Sequence, residues 1–197
     1  SIATNSHTIT AMRDFSNGFD LFAEPDEQEQ KSIGDYYKDA YLSHYRQLEP
    51  SIKPEIVMSY FSGLDKPAQF YQAHYISQNA NPLGSKQLLN QAAKKGKFAV
   101  RYDMYHATYH PDLRQVQQEF GFYDLFLVNN DGRVVYSVFK ESDFAMSLTN
   151  SQLKDSGIAK AWNAVRSANA GTVFLTDFEA YMPSYGAPAA FMALPIF

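Results

Sequence analysis

A chain of 197 residues, 45% hydrophobic and 19% charged, carries enough apolar surface for one sizeable core or two smaller ones, which excludes a disordered chain. A net charge of −4, with Lys94-Lys95-Gly96-Lys97 as the densest basic run, excludes the phosphate-neutralising surface that nucleic-acid binding needs. The lack of cysteine removes disulfides, thiol nucleophiles and cysteine zinc sites, and no run reaches the ~18 consecutive apolar residues of a membrane span.

The first half reads as helical. From Thr8 to Phe22, Ile9, Met12, Phe15, Phe19 and Phe22 recur at steps of three and four, and Pro25 marks the break. Acidic residues from Asp26 favour the start of a second helix, in which Ile33, Tyr36, Tyr37, Ala40, Tyr41 and Tyr45 trace one stripe as far as Leu48. Pro54 opens a third, with Ile56, Val57, Tyr60, Phe61 and Leu64 facing inward. Phe70, Tyr71, His74 and Tyr75 repeat the pattern after Pro67. Asn79 to Ser85 is a loop. A short helix is predicted over Lys86 to Lys95, and another over Phe98 to His110. Pro111 either kinks that helix or starts a new one, with Leu113, Val116 and Phe120 on one face.

A hairpin follows. Tyr123 to Val128 suits a pleated surface, Asn129-Asn130-Asp131-Gly132 supplies the turn, and Arg133 to Phe139 resumes the extended pattern. Ser156 to Asn169 is an amphipathic helix with Ile158, Ala161, Trp162, Val165 and Ala168 buried. Thr172 to Phe178 and Ala189 to Phe197 are two more strands, joined by a turn-rich segment over Met182 to Pro188. A helical region (1–110) is thus followed by β-β-α-β-β (111–197), which predicts an α+β fold with an antiparallel sheet. Ser1 to Thr10 is too polar for a signal peptide, and the apolar close Phe191 to Phe197 reads as the end of a fragment of a longer protein.

The second half resembles the Cache family, the PAS-like extracytoplasmic sensor domains of bacterial chemoreceptors and sensor kinases. The resemblance is carried by FGFYDLFLVNNDGRVVYSVFKESDF (Phe120 to Phe144), DSGIAKAWNAV (Asp155 to Val165) and VFLTDFEAYMPSYGAPAAFMALPIF (Val173 to Phe197). YISQNANPLGSKQLL (Tyr75 to Leu89) and YHATYHPDLR (Tyr105 to Arg114) resemble the helical region that precedes such domains in some chemoreceptors. The resemblance implies a periplasmic segment of an inner-membrane protein, anchored by flanking membrane helices and dimerising through its long helices. It also implies a ligand pocket between the sheet and the segment joining the second and third strands. Carried over by region, the ligand-binding candidates are Tyr136, Lys140, Asp143, Asp177, Tyr181 and Phe191. Lys140 suits a ligand carboxylate, and Asp143 or Asp177 an amine. As a surface pair, Lys140 and Asp143 would instead contribute under ~1 kcal/mol. The family's sheet has five strands; here the chain stops after the fourth, which leaves an open edge. The amino-acid signature of the larger double-Cache sensors is missing, so an amino-acid ligand is not favoured.

Enzymatic signatures are lacking: no nucleophile elbow, no P-loop and no Gly-rich dinucleotide turn. His106 and His110 have metal-ligand spacing but no companion carboxylate pattern, and helix packing accounts for them better. Neither a metal nor a cofactor is expected. The expected function is therefore small-molecule sensing by a methyl-accepting chemotaxis receptor. The alternatives are the sensor domain of a histidine kinase or cyclic-nucleotide enzyme, or a module that binds a periplasmic partner protein.

Overall fold

The computed structural model describes residue 3, residues 5–92 and residues 101–197. Helix α1 (Ser6–Phe19) opens at Asn5, whose side chain accepts the His7 amide at 2.9 Å. Thr8, Ala11, Phe15 and Phe19 form its buried stripe, and it ends before the expected Phe22. Asp26 and Glu29 then close a capping box through reciprocal bonds of 2.8 and 2.9 Å, which starts α2 (Glu27–Asp35). The helix continues through a π-helical segment, Tyr36–Tyr41, into α3 (Leu42–Leu48). A π-turn inserts one residue and shifts the stripe that follows. Ile33, Tyr36, Tyr37, Tyr41 and Tyr45 are buried, whereas Ala40, expected inward, is exposed.

Helix α4 (Pro54–Ser62) buries Val57. Ile56, expected inward, lies one residue, and so about 100° of helix, away from Val57 and is 45% exposed. Helix α5 (Lys66–Gln72) is capped by Asp65, which accepts the Ala68 amide at 3.1 Å, and runs into a second π-helical segment, Ala73–Ser77. Phe70, Tyr71, His74 and Tyr75 are all buried, as their spacing predicts.

The helix expected over 86–95 is a single 3₁₀ turn at Lys86–Leu88, and residues 93–100 of both predicted helices lie outside the described residues. Helix α6 (Arg101–Phe120) passes unbroken through Pro111, so the boundary drawn at 110/111 falls inside one helix. Its packing on α1 outweighs the amide bond that Pro111 cannot make. Gly18 permits the close approach, because a Cβ there would meet the Tyr102 backbone at 3.2 Å. Phe120, expected on the inner face, is exposed and stacks on Phe122 at 5.6 Å.

Strands β1 (Phe126–Val128) and β2 (Val134–Ser137) form the predicted antiparallel hairpin, with Leu127 opposite Tyr136 and an irregularity after Leu127. Gly132 takes φ +80° in the turn. Val134 to Val138 are all buried, so both faces of β2 are covered. Helix α7 (Gly157–Val165) buries Ile158, Ala161 and Val165 as expected.

The remaining strands do not join the hairpin in one sheet. Strand β3 (Phe174–Leu175) pairs with β6 (Met192–Ala193), and β4 (Glu179–Ala180) pairs with β5 (Pro188–Ala189). The fold is mixed α+β, with three two-stranded ladders in place of the expected four-stranded sheet. Between β3 and β4 the Asp177 carboxylate accepts the amide of Phe178 at 2.8 Å, which takes that amide out of any ladder.

Gln72, wholly buried at the end of α5, ties the helical half to the segment after β2. Its amide nitrogen donates to the carbonyls of Ser142 (2.9 Å) and Phe144 (2.8 Å), and its oxygen accepts from the Tyr37 hydroxyl (2.8 Å). Gln72→Leu leaves these buried groups unpaired, at roughly 1–3 kcal/mol each. Urea unfolding is expected to show a stability loss of at least about 2 kcal/mol; an unchanged midpoint would show that these bonds carry no weight.

Candidate functional site

The site is built on the loop that leaves β2. Ala145 donates to the Val134 carbonyl and Val134 to the Met146 carbonyl, both at 3.0 Å, so the loop folds back along its own strand. That path requires positive φ at two non-glycine residues, Lys140 (+58°) and Ala145 (+68°). Such positions cost of order 1–3 kcal/mol each and persist only where the surroundings enforce them.

The enforcement is visible in what the loop buries. Lys140, Glu141, Ser142 and Asp143 are all below a tenth exposed, so the Lys-Glu-Ser-Asp run is interior and not a surface pair. The Lys140 ammonium donates to the Ser137 carbonyl. It also lies 4.2 Å from the Tyr136 ring centroid, 5.0 Å from Phe144 and 5.9 Å from Tyr75. Burial pushes its pKa below the ordinary 10.5, opposed by Asp124 and Asp143.

Three buried carboxyl groups belong to the same loop and the start of the hairpin; Asp124 and Asp143 act on the Lys140 charge, but none forms a direct ion pair with it. Asp143 Oδ2 accepts the Tyr181 hydroxyl at 2.7 Å, while Oδ1 has no hydrogen-bond partner among the described residues. Glu141 accepts from Tyr123 at 2.6 Å and from Ser184 at 2.9 Å. Asp124, just before β1, accepts three amides through Oδ1, from Leu125 (2.6 Å), Val138 (2.9 Å) and Phe139 (3.1 Å). Its Oδ2 is sealed from solvent, again with no partner among the described residues. Burial raises all three: Asp143 to about 6, Glu141 to about 8 with added repulsion from Asp143, and Asp124 upward with the same repulsion.

Helix α6 supplies a neighbouring wall. The His106 and His110 rings stack at 4.4 Å. His110 Nε2 donates to the Gln87 carbonyl at 2.7 Å, so Nδ1 accepts the Tyr136 hydroxyl at 2.7 Å. Burial, aided by Lys140, depresses His110 to about 3, which keeps the ring neutral. Among the described residues, no group of three or more His, Asp and Glu is placed to hold a metal.

Of the six residues singled out from the sequence, Tyr136, Lys140, Asp143 and Tyr181 converge here. Phe191 touches the edge of the group through Tyr181, ring to ring at 4.9 Å. Asp177 does not join them; it is exposed, and its carboxylate is spent on the Phe178 amide. Asp124, Glu141 and Gln72 were not among the ligand-binding candidates drawn from the sequence. Asp124 did leave a signal, as a lone charge between Tyr123 and the apolar run Leu125 to Val128. No family model, curated protein or solved structure matches the chain.

The stability of the arrangement depends on proton binding. With Lys140 depressed, the unfolded chain binds more protons than the folded one between the folded pKa and 10.5, so this contribution rises with pH. Glu141 and Asp143 act oppositely, because their raised values make the contribution fall as pH rises from the ordinary carboxylate range to about 8 and about 6. Above pH 8 the lysine carries the cluster's remaining pH dependence, because its proton is lost in the folded chain and still bound in the unfolded one. Melting curves are expected to show the wild type gaining on Lys140→Met between pH 8 and 10, by up to about 1.4 kcal/mol per pH unit. A difference that stays flat over this range would mean that burial does not perturb Lys140.

Proposed function

We propose that the chain is the ligand-sensing domain of a bacterial methyl-accepting chemotaxis receptor of the Cache kind. In this reading it is a periplasmic segment of an inner-membrane protein that pairs through its long helices, and it is not an enzyme. The observation that carries the reading is the 140–145 loop: buried ionic groups, two strained backbone positions and an Asp143 carboxylate oxygen with no hydrogen-bond partner among the described residues, with two loop carbonyls gripped by a helix residue. Strain and unsatisfied buried polar atoms concentrate where proteins bind or switch. Gln72 supplies the coupling, since a ligand that favours one position of the loop also favours one position of α5 and the Tyr37 segment. A histidine kinase or a cyclic-nucleotide enzyme would use the same sensing step with a different output.

A second reading, a module that binds a partner protein, is favoured by a different observation. Val173, Leu175, Phe178 and Met192 are more than half exposed on and beside the β3–β6 ladder, a grouping that marks interaction surfaces.

The first reading is tested by thermal unfolding against small organic acids, amines and amino acids. At hundredfold excess over Kd a bound ligand stabilises by about 2.7 kcal/mol, roughly 5–10 °C for a domain of this size. The shift is expected to disappear in Asp143→Ala and to persist in Asp177→Ala. Loss of the shift in Asp177→Ala with retention in Asp143→Ala would move the site to the exposed turn.

A further inference from the structure

Two carboxylate oxygens of the site lack hydrogen-bond partners among the described residues, and they specify what it takes. Lys140, the residue best suited to hold an organic acid, is already engaged: its ammonium bonds the Ser137 carbonyl and faces three aromatic rings. Glu141 is engaged on both oxygens. Among the carboxylates, what remains is Asp143 Oδ1 and Asp124 Oδ2, two sealed acceptors with no partner among the described residues, and His106 Nε2 on the neighbouring wall is likewise unpartnered; Asp143 as a whole is fully buried. With Glu141 kept protonated near neutral pH, Lys140, Asp143 and Asp124 leave a formal charge of −1 when ionised, which repels an anion and favours a cation.

We propose that the site binds a small organic cation bearing N–H donors, of the primary alkylammonium class, through the free oxygens of Asp143 and Asp124. This rests on the sensing reading above and assigns the ligand's charge and donor character. A charge-assisted N–H···O bond to each oxygen satisfies the orphaned acceptors and offsets the repulsion between the two carboxylates. Tyr181 holds Asp143 by its other oxygen, and the Leu125, Val138 and Phe139 amides hold Asp124 by its other oxygen, so both free oxygens are fixed in direction. The raised pKa values of the two carboxyls fit sites that keep a proton until a better cation replaces it.

The test is thermal unfolding and calorimetric titration of the purified chain with methylammonium, ethylammonium, tetramethylammonium and acetate at matched ionic strength. Methylammonium and ethylammonium are expected to raise the midpoint saturably. Tetramethylammonium, which has no N–H, is expected to do so at least tenfold less effectively, and acetate not at all. Asp143→Asn should weaken alkylammonium binding at least tenfold, whereas Lys140→Met, which removes a competing cation, should preserve or strengthen it. Stabilisation by acetate that is lost in Lys140→Met would overturn the cation assignment and leave the sensing reading standing. If none of these probes and none of the broader acids, amines and amino acids shifts the wild-type midpoint, both readings fall.

Discussion

An ammonium group in a protein interior is tolerated only where opposite charge and hydrogen-bond acceptors meet it, and Lys140 sets that requirement for this fold. Its position fixes what the surroundings must provide: a carbonyl from the end of β2, ring faces from Tyr136, Phe144 and Tyr75, and carboxylates from both sides of the hairpin. Removing one partner from such a group leaves a buried charge uncompensated, which is why its neighbours act as a unit. The segment around Tyr181 to Ser184 meets the loop through the carboxylates instead, with Tyr181 on Asp143 and Ser184 on Glu141.

Two of the ties that bind the helical half into the same arrangement come from the ends of α5. Gln72 grips the loop carbonyls from within, and Arg133 reaches from the hairpin to Asp65 at the cap of α5, with contacts of 3.0 and 2.6 Å. Arg133 also donates to the Ala145 carbonyl at 3.0 Å, so one guanidinium spans helix cap and loop. Asp65 is largely exposed, and the ion pair itself contributes little beyond alignment. Gln72, with no water to substitute for its bonds, is the stronger tie.

Much of the helical half was legible because rings at three- and four-residue steps can bury only on one face of a helix. The hairpin was legible for the same kind of reason: Asn129 to Gly132 can turn the chain, and the flanking residues cannot. Three features were not. A π-turn adds one residue without any compositional mark, so Ala40 was assigned to a face it does not occupy. Strands of two residues show no alternation, so β3 to β6 could be anticipated as extended segments but not assigned to ladders. The Lys-Glu-Ser-Asp run suits a pocket and a surface pair alike when read as sequence, because the partners that draw it inward lie far along the chain. Gln72 bonds Ser142 across 70 residues, Tyr181 bonds Asp143 across 38 and Ser184 bonds Glu141 across 43.

The two π-helical segments, Tyr36–Tyr41 and Ala73–Ser77, adjoin the residues that grip the loop: Tyr37 lies inside the first, and Gln72 immediately precedes the second. Each wide turn stores one residue more than an α-helical path of the same course needs, equivalent to about 1.5 Å of chain. The protein thus carries slack in both helices that bear on the buried charges. It is held as an offset in helical phase, so it can be taken up by re-pairing neighbouring backbone amides without uncoiling either helix.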